Sequence, residues 1–330
     1  MHAASSTVDG NATLTFTVAL GPETTITQTD IRIDSPDHHD TLFDKVIDTS
    51  NLKVGHRLIT SDYTRLKEDL ITTAQNYGYF EADFTARSIN INRKQHRAKI
   101  ILHFSTGPRY RFGDIHFKPG PYDIDYVKRF LTFNTGQYYN QFALFKTRSN
   151  FASARHFRHV NIKAKKNRNH RHTVPITINL RPAHRVEYTT GLGYGSDTGP
   201  RGTFNTTFNR ITRTGHSIKE TAQLSTNKKN IRVTYDIPGA RPQYDHYTLS
   251  AAYSKIIQET DDNGEIVYSS RGKKLSTGYV TQYGNWQIRG EVNYLKENYN
   301  LRQLINTEAE LFYPSLNFSY RQVDHAVAPN

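Results

Sequence analysis

Few residues in this chain stand at spacings that support bond-making chemistry. Asp37-His38-His39-Asp40 offers four side chains of the kind that hold divalent metals, yet it falls at a predicted helix start, where acidic residues also act as caps. Asp261-Asp262-Asn263-Gly264-Glu265 superficially matches a calcium loop. It lacks the full spacing and the flanking helices, and reads instead as an Asn-Gly turn between strands. G-x-S-x-G, H-E-x-x-H and phosphate-loop patterns are absent. There is no cysteine, which removes thiolate metal sites, thiol redox chemistry and disulfide scaffolds. The expectation is a protein that is not an enzyme and uses no cofactor or metal.

Two other patterns suggest physical rather than chemical work. Lys163, Lys165, Lys166, Arg168 and Arg171 crowd one short segment, which reads either as a solvated turn or as a contact for anionic lipid headgroups. The net charge of +13 is otherwise scattered, and the aromatics do not interleave with the cluster, so no nucleic-acid partner is expected. Gly191, Gly193 and Gly195 recur at every second position of one predicted strand, opposite Val186, Tyr188, Thr190, Leu192 and Tyr194. Glycine weakens a strand by about 0.5–1 kcal/mol through its entropy and missing packing. The stripe therefore marks either a weakly paired edge or a place where the strand bends.

The elements that carry these residues divide the 330-residue chain in two. Up to about residue 182 the order β-α-α-β-β occurs twice. The first set has strands near 25–33, 79–91 and 97–106 with helices near 39–50 and 62–77, the latter capped by Ser61. The second has strands near 110–117, 156–165 and 173–181 with helices near 123–133 and 139–154. Asp30-Ile31 and Asp114-Ile115 repeat, as do Gly55 and Gly136 ahead of each second helix. Before them an alternating strand ends at the Gly21-Pro22 turn, with no secretory leader.

From 183 onward helical stripes vanish, and about eight strands alternate apolar with polar: 185–195, 202–212, 216–226, 229–237, 245–257, 266–281, 285–297 and 308–322. Each reaches the roughly 9–11 residues that cross a bilayer as a tilted strand. Hydrophobic residues make up 36% of the chain, with 21 Tyr and 17 Phe, which suits sheets greasy on one face. Tight turns at Asn227-Lys228 and Tyr283-Gly284-Asn285, against a long acidic connector from Glu259 to Ser270, predict short turns at one end and long loops at the other. Glu220 falls on the apolar face, where a mid-bilayer charge costs at most about 2–4 kcal/mol, so either the register slips there or Glu220 stands at the interface. A soluble sandwich with one solvated face is the alternative.

Tyr77-Gly78-Tyr79-Phe80-Glu81-Ala82, the string Gly191-Leu192-Gly193-Tyr194-Gly195-Ser196-Asp197-Thr198-Gly199-Pro200-Arg201, Asn230–Gly239 and Leu311–Leu316 together resemble the BamA/TamA superfamily of outer-membrane assembly proteins, the TamA branch in particular. The second module departs from the pattern, with Arg155-His156-Phe157 and no glycine in place of Gly78-Tyr79-Phe80. The resemblance implies an α+β pair of POTRA modules, at 26–108 and 109–182, after the tail of a preceding module at 1–25. An all-β transmembrane antiparallel barrel follows, of which 183–330 is the N-terminal half. It implies a fragment of a longer outer-membrane protein with its modules in the periplasm.

The implied function is insertion of autotransporter-like outer-membrane clients. They would enter by strand exchange at a weak seam formed by Val186, Tyr188, Thr190, Gly191, Leu192, Gly193, Tyr194 and Gly195. They would also dock on the second strand of each module, at Tyr79, Phe80, Ala82, Phe84, Phe157, Val160 and Ile162. Partners implied are the clients, an inner-membrane-anchored TamB-like protein and the lipid bilayer. Alternatives are a two-partner secretion transporter of the same superfamily, a small barrel or adhesin with periplasmic modules, and a soluble peptide-binding protein.

Overall fold

The computed structural model describes residues 2–8, 11–17, 22–36, 41–165, 172–195, 199–260, 266–301 and 305–322. The chain divides into two compact units. One comprises Met1–Phe112, Gly136–Phe142 and Asn167–Val174; the other comprises Gly113–Thr135, Ala143–Lys166 and Pro175–Asn330. No helix is long and apolar enough to cross a membrane, among the described residues.

β1 (His2–Val8) and β2 (Asn11–Thr17) pair as an antiparallel hairpin. β1 has no signature in the residue pattern, because His2–Ser6 carries no apolar alternation. The first repeat then runs β3 (Thr25–Asp34), α1 (Thr41–Asp48), α2 (Thr60–Asn76), β4 (Asp83–Asn92) and β5 (Arg97–Ser105). β5 lies between the other two, parallel to β3 and antiparallel to β4. Its residues Ala98, Ile100, Leu102 and Phe104 are all buried, and α2 presents Tyr63, Leu66, Leu70 and Ala74 from one face to the same core.

Ser61 does not cap α2. The N-cap is Ile59, with no side-chain hydrogen bond, and Asp62 in the first turn supplies the favourable charge instead. At the other end Tyr79 N–H bonds the Ala74 carbonyl at 2.8 Å and Gly78 N–H bonds that of Gln75 at 3.4 Å, the pairing of a Schellman cap. Gly78, at φ +87°, provides the left-handed turn this needs.

The second repeat runs β6 (Arg111–Lys118), α3 (Ile124–Lys128), α4 (Gln141–Ser153), β7 (Phe157–Ala164) and β8 (Thr173–Pro182), with sheet order β6-β8-β7. The repeated glycines do equivalent work: Gly55 N–H bonds Ile26 O, and Gly136 N–H bonds Phe112 O, both at 2.8 Å. α3 is shorter than its apolar spacing predicts. Residues 129–131 tighten into bonds to the third residue back, and α4 reaches over to satisfy that end. Asn150 Nδ2 donates to Phe130 O at 2.9 Å, and Thr147 Oγ1 accepts from Thr132 N–H at 3.1 Å.

β9 (Val186–Gly195), β10 (Gly199–Phe208), β11 (Ser217–Ser225), β12 (Lys228–Pro238), β13 (His246–Thr260), β14 (Ile266–Tyr283), β15 (Trp286–Leu301) and β16 (Ile305–Tyr320) form one antiparallel sheet in chain order. The sheet is not closed: β9 stands at one margin and β16 at the other. The fold is thus two POTRA-type modules followed by half of an antiparallel barrel.

Register turns the alternation into two faces. One rung of the outer face reads Tyr188, Thr206, Glu220, Val233, Ala251, Leu275, Tyr294, Phe312, and the next reads Val186, Phe208, Ile218, Tyr235, Leu249, Thr277, Val292, Pro314. Large apolar side chains stand free on this face; Leu192 is 95% exposed and Phe312 76%. The inner face is a hydrogen-bonded polar wall. Thr221 bonds Asn205 at 2.9 Å, Ser250 bonds Thr234 at 3.1 Å, and Asn293 joins Ser276 and Ser315 at 2.9 and 3.0 Å. Glu220 does lie on the outer face, exposed, so the register holds. It stands three residues into β11, about 10 Å along the strand from its start.

The expected division into short and long connectors is overturned. The long ones, 209–216 and 239–245, lie at the same end as the tight Tyr283–Trp286 turn, whereas β13 and β14 extend through most of the supposed Glu259–Ser270 loop. Length is needed at that end because those connectors grip the second module. Arg213 Nε meets Asp123 Oδ1 at 2.8 Å, and Arg129 Nη1 donates to Gly239 O at 2.8 Å. The 239–245 connector is itself pinned by Asp245, whose carboxylate accepts from Arg241 Nε and Nη2 at 2.9 Å and from Thr281 at 2.7 Å. Burial by itself would push the Asp245 carboxyl up, but these donors outweigh it and hold it below the usual range.

Candidate functional site

The unpaired margin of β9 is the feature with most capacity to act. Among the described residues β9 pairs with β10 alone, so one row of its backbone donors and acceptors is unused. Val186, Tyr188, Thr190, Leu192 and Tyr194 occupy the outer face, while Gly191, Gly193 and Gly195 fall on the inner one. The two readings of the glycine stripe separate by position. A Cβ on Gly191 would meet nothing within 4 Å, so space does not require glycine there. At Gly193 a Cβ would come within 3.0 Å of Arg201 Nε, because the Arg201 side chain lies across that glycine. The site thus includes Arg201 and also Phe204, whose ring lies 6.1 Å from Tyr188. Both sit in the strand after the glycines, and only the register brings them alongside.

The second strand of each module, β4 and β7, does lie at a sheet edge. The residues expected to dock clients there are differently placed. Tyr79, Phe80 and Ala82 precede β4. Tyr79 is buried in the cap that ends α2, and Phe80 packs edge-on against Tyr110 and Tyr139 at 5.3 and 4.9 Å. Phe84 is on β4 but faces Phe104 at 4.9 Å, and Phe157 and Val160 on β7 are buried, with Ile162 half-buried. These side chains hold the modules together, so what the edges offer outward is backbone. Both edge strands carry a register shift near their start, at Phe84/Ala86 and at Phe157/His159, which shortens the regular edge. Of the basic cluster, Lys163 and Lys165 are exposed, while Lys166, Arg168 and Arg171 lie outside the described residues. The same is true of Asp37–Asp40 and Asp261–Glu265.

The junction between second module and barrel sheet has no signature in the residue pattern, since it joins residues distant in the chain. Tyr126, 2% exposed, is ringed by Tyr122, Phe130 and His156 at 5.7, 5.4 and 5.9 Å. Burial raises the Tyr122 phenol to about 12. His156 stands where the first module has Tyr79. It is buried, with Nδ1 2.9 Å from Asn209 O. Burial lowers its pKa, and the Asn209 carbonyl only partly offsets this. The neutral ring's contribution is therefore complete above the unfolded value of 6.5 and is lost as pH falls through the lower folded value. Thermal melts at pH 7.5 and 5 should show a lower midpoint in acid, and His156→Gln should flatten that difference.

Modules of β-α-α-β-β order leading into an open antiparallel sheet, apolar outside and polar inside, define the fold of POTRA-bearing barrel proteins. No protein-family model matches the chain. Among solved structures it is similar to BamA from Haemophilus ducreyi lacking POTRA domains 1–3, with TM-score 0.70, 14% identity and 92% of this chain covered against 61% of that one. It is also similar to CdiB from Acinetobacter baumannii and CdiB from Escherichia coli, each with TM-score 0.51, 13% identity and 92% of this chain covered, against 60% and 57% of theirs. The chain therefore spans about 60% of the length of the structures it matches.

Proposed function

We propose that this chain is part of an outer-membrane protein assembly factor of the BamA/TamA superfamily, with β9 as the seam where a client strand enters. The observation that carries the reading is the eight-stranded sheet, apolar outside, whose first strand has an unused backbone edge. In lipid every unpaired backbone group costs several kcal/mol, so a nascent strand gains by hydrogen-bonding that edge before its own barrel closes. Gly191, where no neighbour demands a glycine, keeps the closing contact weak enough to exchange. The work needs no nucleophile, metal or cofactor. The module edges β4 and β7 take clients, or a TamB-like partner anchored in the inner membrane, by backbone strand addition in the periplasm. Autotransporter-like barrels are the client class, and nucleic acid is not a partner.

The test is a reversible lock in the complete protein. A disulfide between Tyr188→Cys and a cysteine on the strand that closes against β9 should halt client assembly, and reduction should restore it. Normal assembly with the lock in place rules out strand exchange at β9.

A further inference from the structure

The outer face carries a group of cations that neither the seam nor the modules explain. Register sets Lys229 opposite Lys255 and Lys255 opposite Arg271 on β12, β13 and β14. Two residues along β14 from Arg271, Lys273 is opposite Tyr253 on one side and Lys296 on the other. With neighbouring strands about 4.8 Å apart, four positive side chains share a patch little more than 10 Å across. Like charges directly opposite destabilise a sheet. Lys296 has its counter-ions in Glu308 and Glu310 on β16, the latter at 2.9 Å. Lys229, Lys255, Arg271 and Lys273 have no carboxylate partner among the described residues; Lys229, Arg271 and Lys273 are exposed and Lys255 is half-buried.

Their height on the sheet is as specific as their grouping. The second module grips connectors 209–216 and 239–245, so the cations lie toward the opposite end. The rung on the module side of Lys273 is apolar throughout β12–β16, namely Val233, Ala251, Leu275, Tyr294 and Phe312. β13–β16 continue past the cations with Ile257, Ser269, Asn300 and Asn306. Cations at the rim of an apolar band, with aromatic neighbours Tyr253 and Tyr294, sit where headgroup phosphates sit.

We propose that Lys229, Lys255, Arg271 and Lys273 form a belt that binds the phosphates of an anionic lipid in the leaflet remote from the modules. Arg271 can take a phosphate in bidentate fashion, and the lysine stems lie over apolar surface while their ammonium groups reach the headgroup. The proposal rests on the membrane reading above.

The test uses the whole chain in neutral dodecylmaltoside micelles with fluorescent diphosphoryl lipid A as probe. Lys229→Gln/Lys255→Gln/Arg271→Gln/Lys273→Gln should bind it about tenfold more weakly. Lys229→Arg/Lys255→Arg/Lys273→Arg and the hairpin control Lys163→Gln/Lys165→Gln should bind like the parent. Dephosphorylated lipid A should bind the parent as weakly as it binds the Gln variant. Equal binding by the Gln variant overturns the belt, and displacement by millimolar inorganic phosphate overturns the lipid as its ligand. Flotation with phosphatidylcholine vesicles separates the two readings. A parent chain that stays in the aqueous fraction defeats membrane insertion, whereas one that floats but loses nothing on substitution defeats the belt alone.

Discussion

Gly215→Ala should loosen the second module from the barrel sheet and lower stability by about 3 kcal/mol, from left-handed backbone strain of about 1–2 and overpacking of about 1–3. Gly215 lies in the connector between β10 and β11 at φ +83°, and a Cβ there would fall 2.4 Å from Tyr126 Cζ and Oη. A ring tip can usually swing aside, but Tyr126 is held by three aromatic neighbours, and its buried hydroxyl has no hydrogen-bond partner among the described residues to guide it elsewhere. The connector must move instead. It carries Arg213, paired with Asp123, and Asn209, whose carbonyl meets His156, so one methyl group disturbs both contacts. The thermal midpoint should fall by about 6–12 °C, and limited proteolysis should newly cut near residues 183–185. An unchanged melt would mean that the Tyr126 ring is free to move, and that the junction is less tightly packed than its geometry implies.

Phe151→Ala should cost about 3–5 kcal/mol and unfold the second module while the first stays folded. Phe151 is fully buried, stacked on Phe130 at 4.8 Å and edge-on to Phe157 at 5.4 Å. It joins α4 to the start of β7, so its loss leaves a cavity between them. Hydrogen exchange reads the effect locally: amides of β7 and of residues 175–182 should lose protection, while those of β4 and β5, in the other unit, keep it. Phe145→Ala on the same helix is the control. That ring is 57% exposed, and its removal should leave exchange unaltered. Loss of protection in both units would show that they fold as one.

Both changes fall on contacts that the amino-acid pattern hides. Period-two alternation over 186–320 is enough to place all eight barrel strands, because one face of each must be apolar whatever its partners. The same pattern puts Glu220 on the outer face, and the register agrees. Helical stripes place α1, α2 and α4 for the same reason, and the spacing of Gly55 and Gly136 marks a repeat that the backbone bonds to Ile26 and Phe112 make physical.

Local reading fails where a residue's role is set by something distant in the chain. Tyr79, Phe80 and Ala82 alternate as a strand would, yet the Schellman cap at Gly78 and the rings of Tyr110 and Tyr139 draw them into a turn. The stretch from Glu259 to Ser270 reads as a long connector, yet β13 and β14 extend through most of it, whereas 209–216 and 239–245 are long because they grip a module more than fifty residues earlier. The cationic belt is invisible for a like reason. Lys229, Lys255, Arg271 and Lys273 are spread over 45 residues, and hydrogen-bond register alone makes them neighbours. The sequence by itself determined which side chains face outward, since burial period is a local property. Tertiary structure decided which of them meet, since strand pairing and packing join residues that the chain keeps apart.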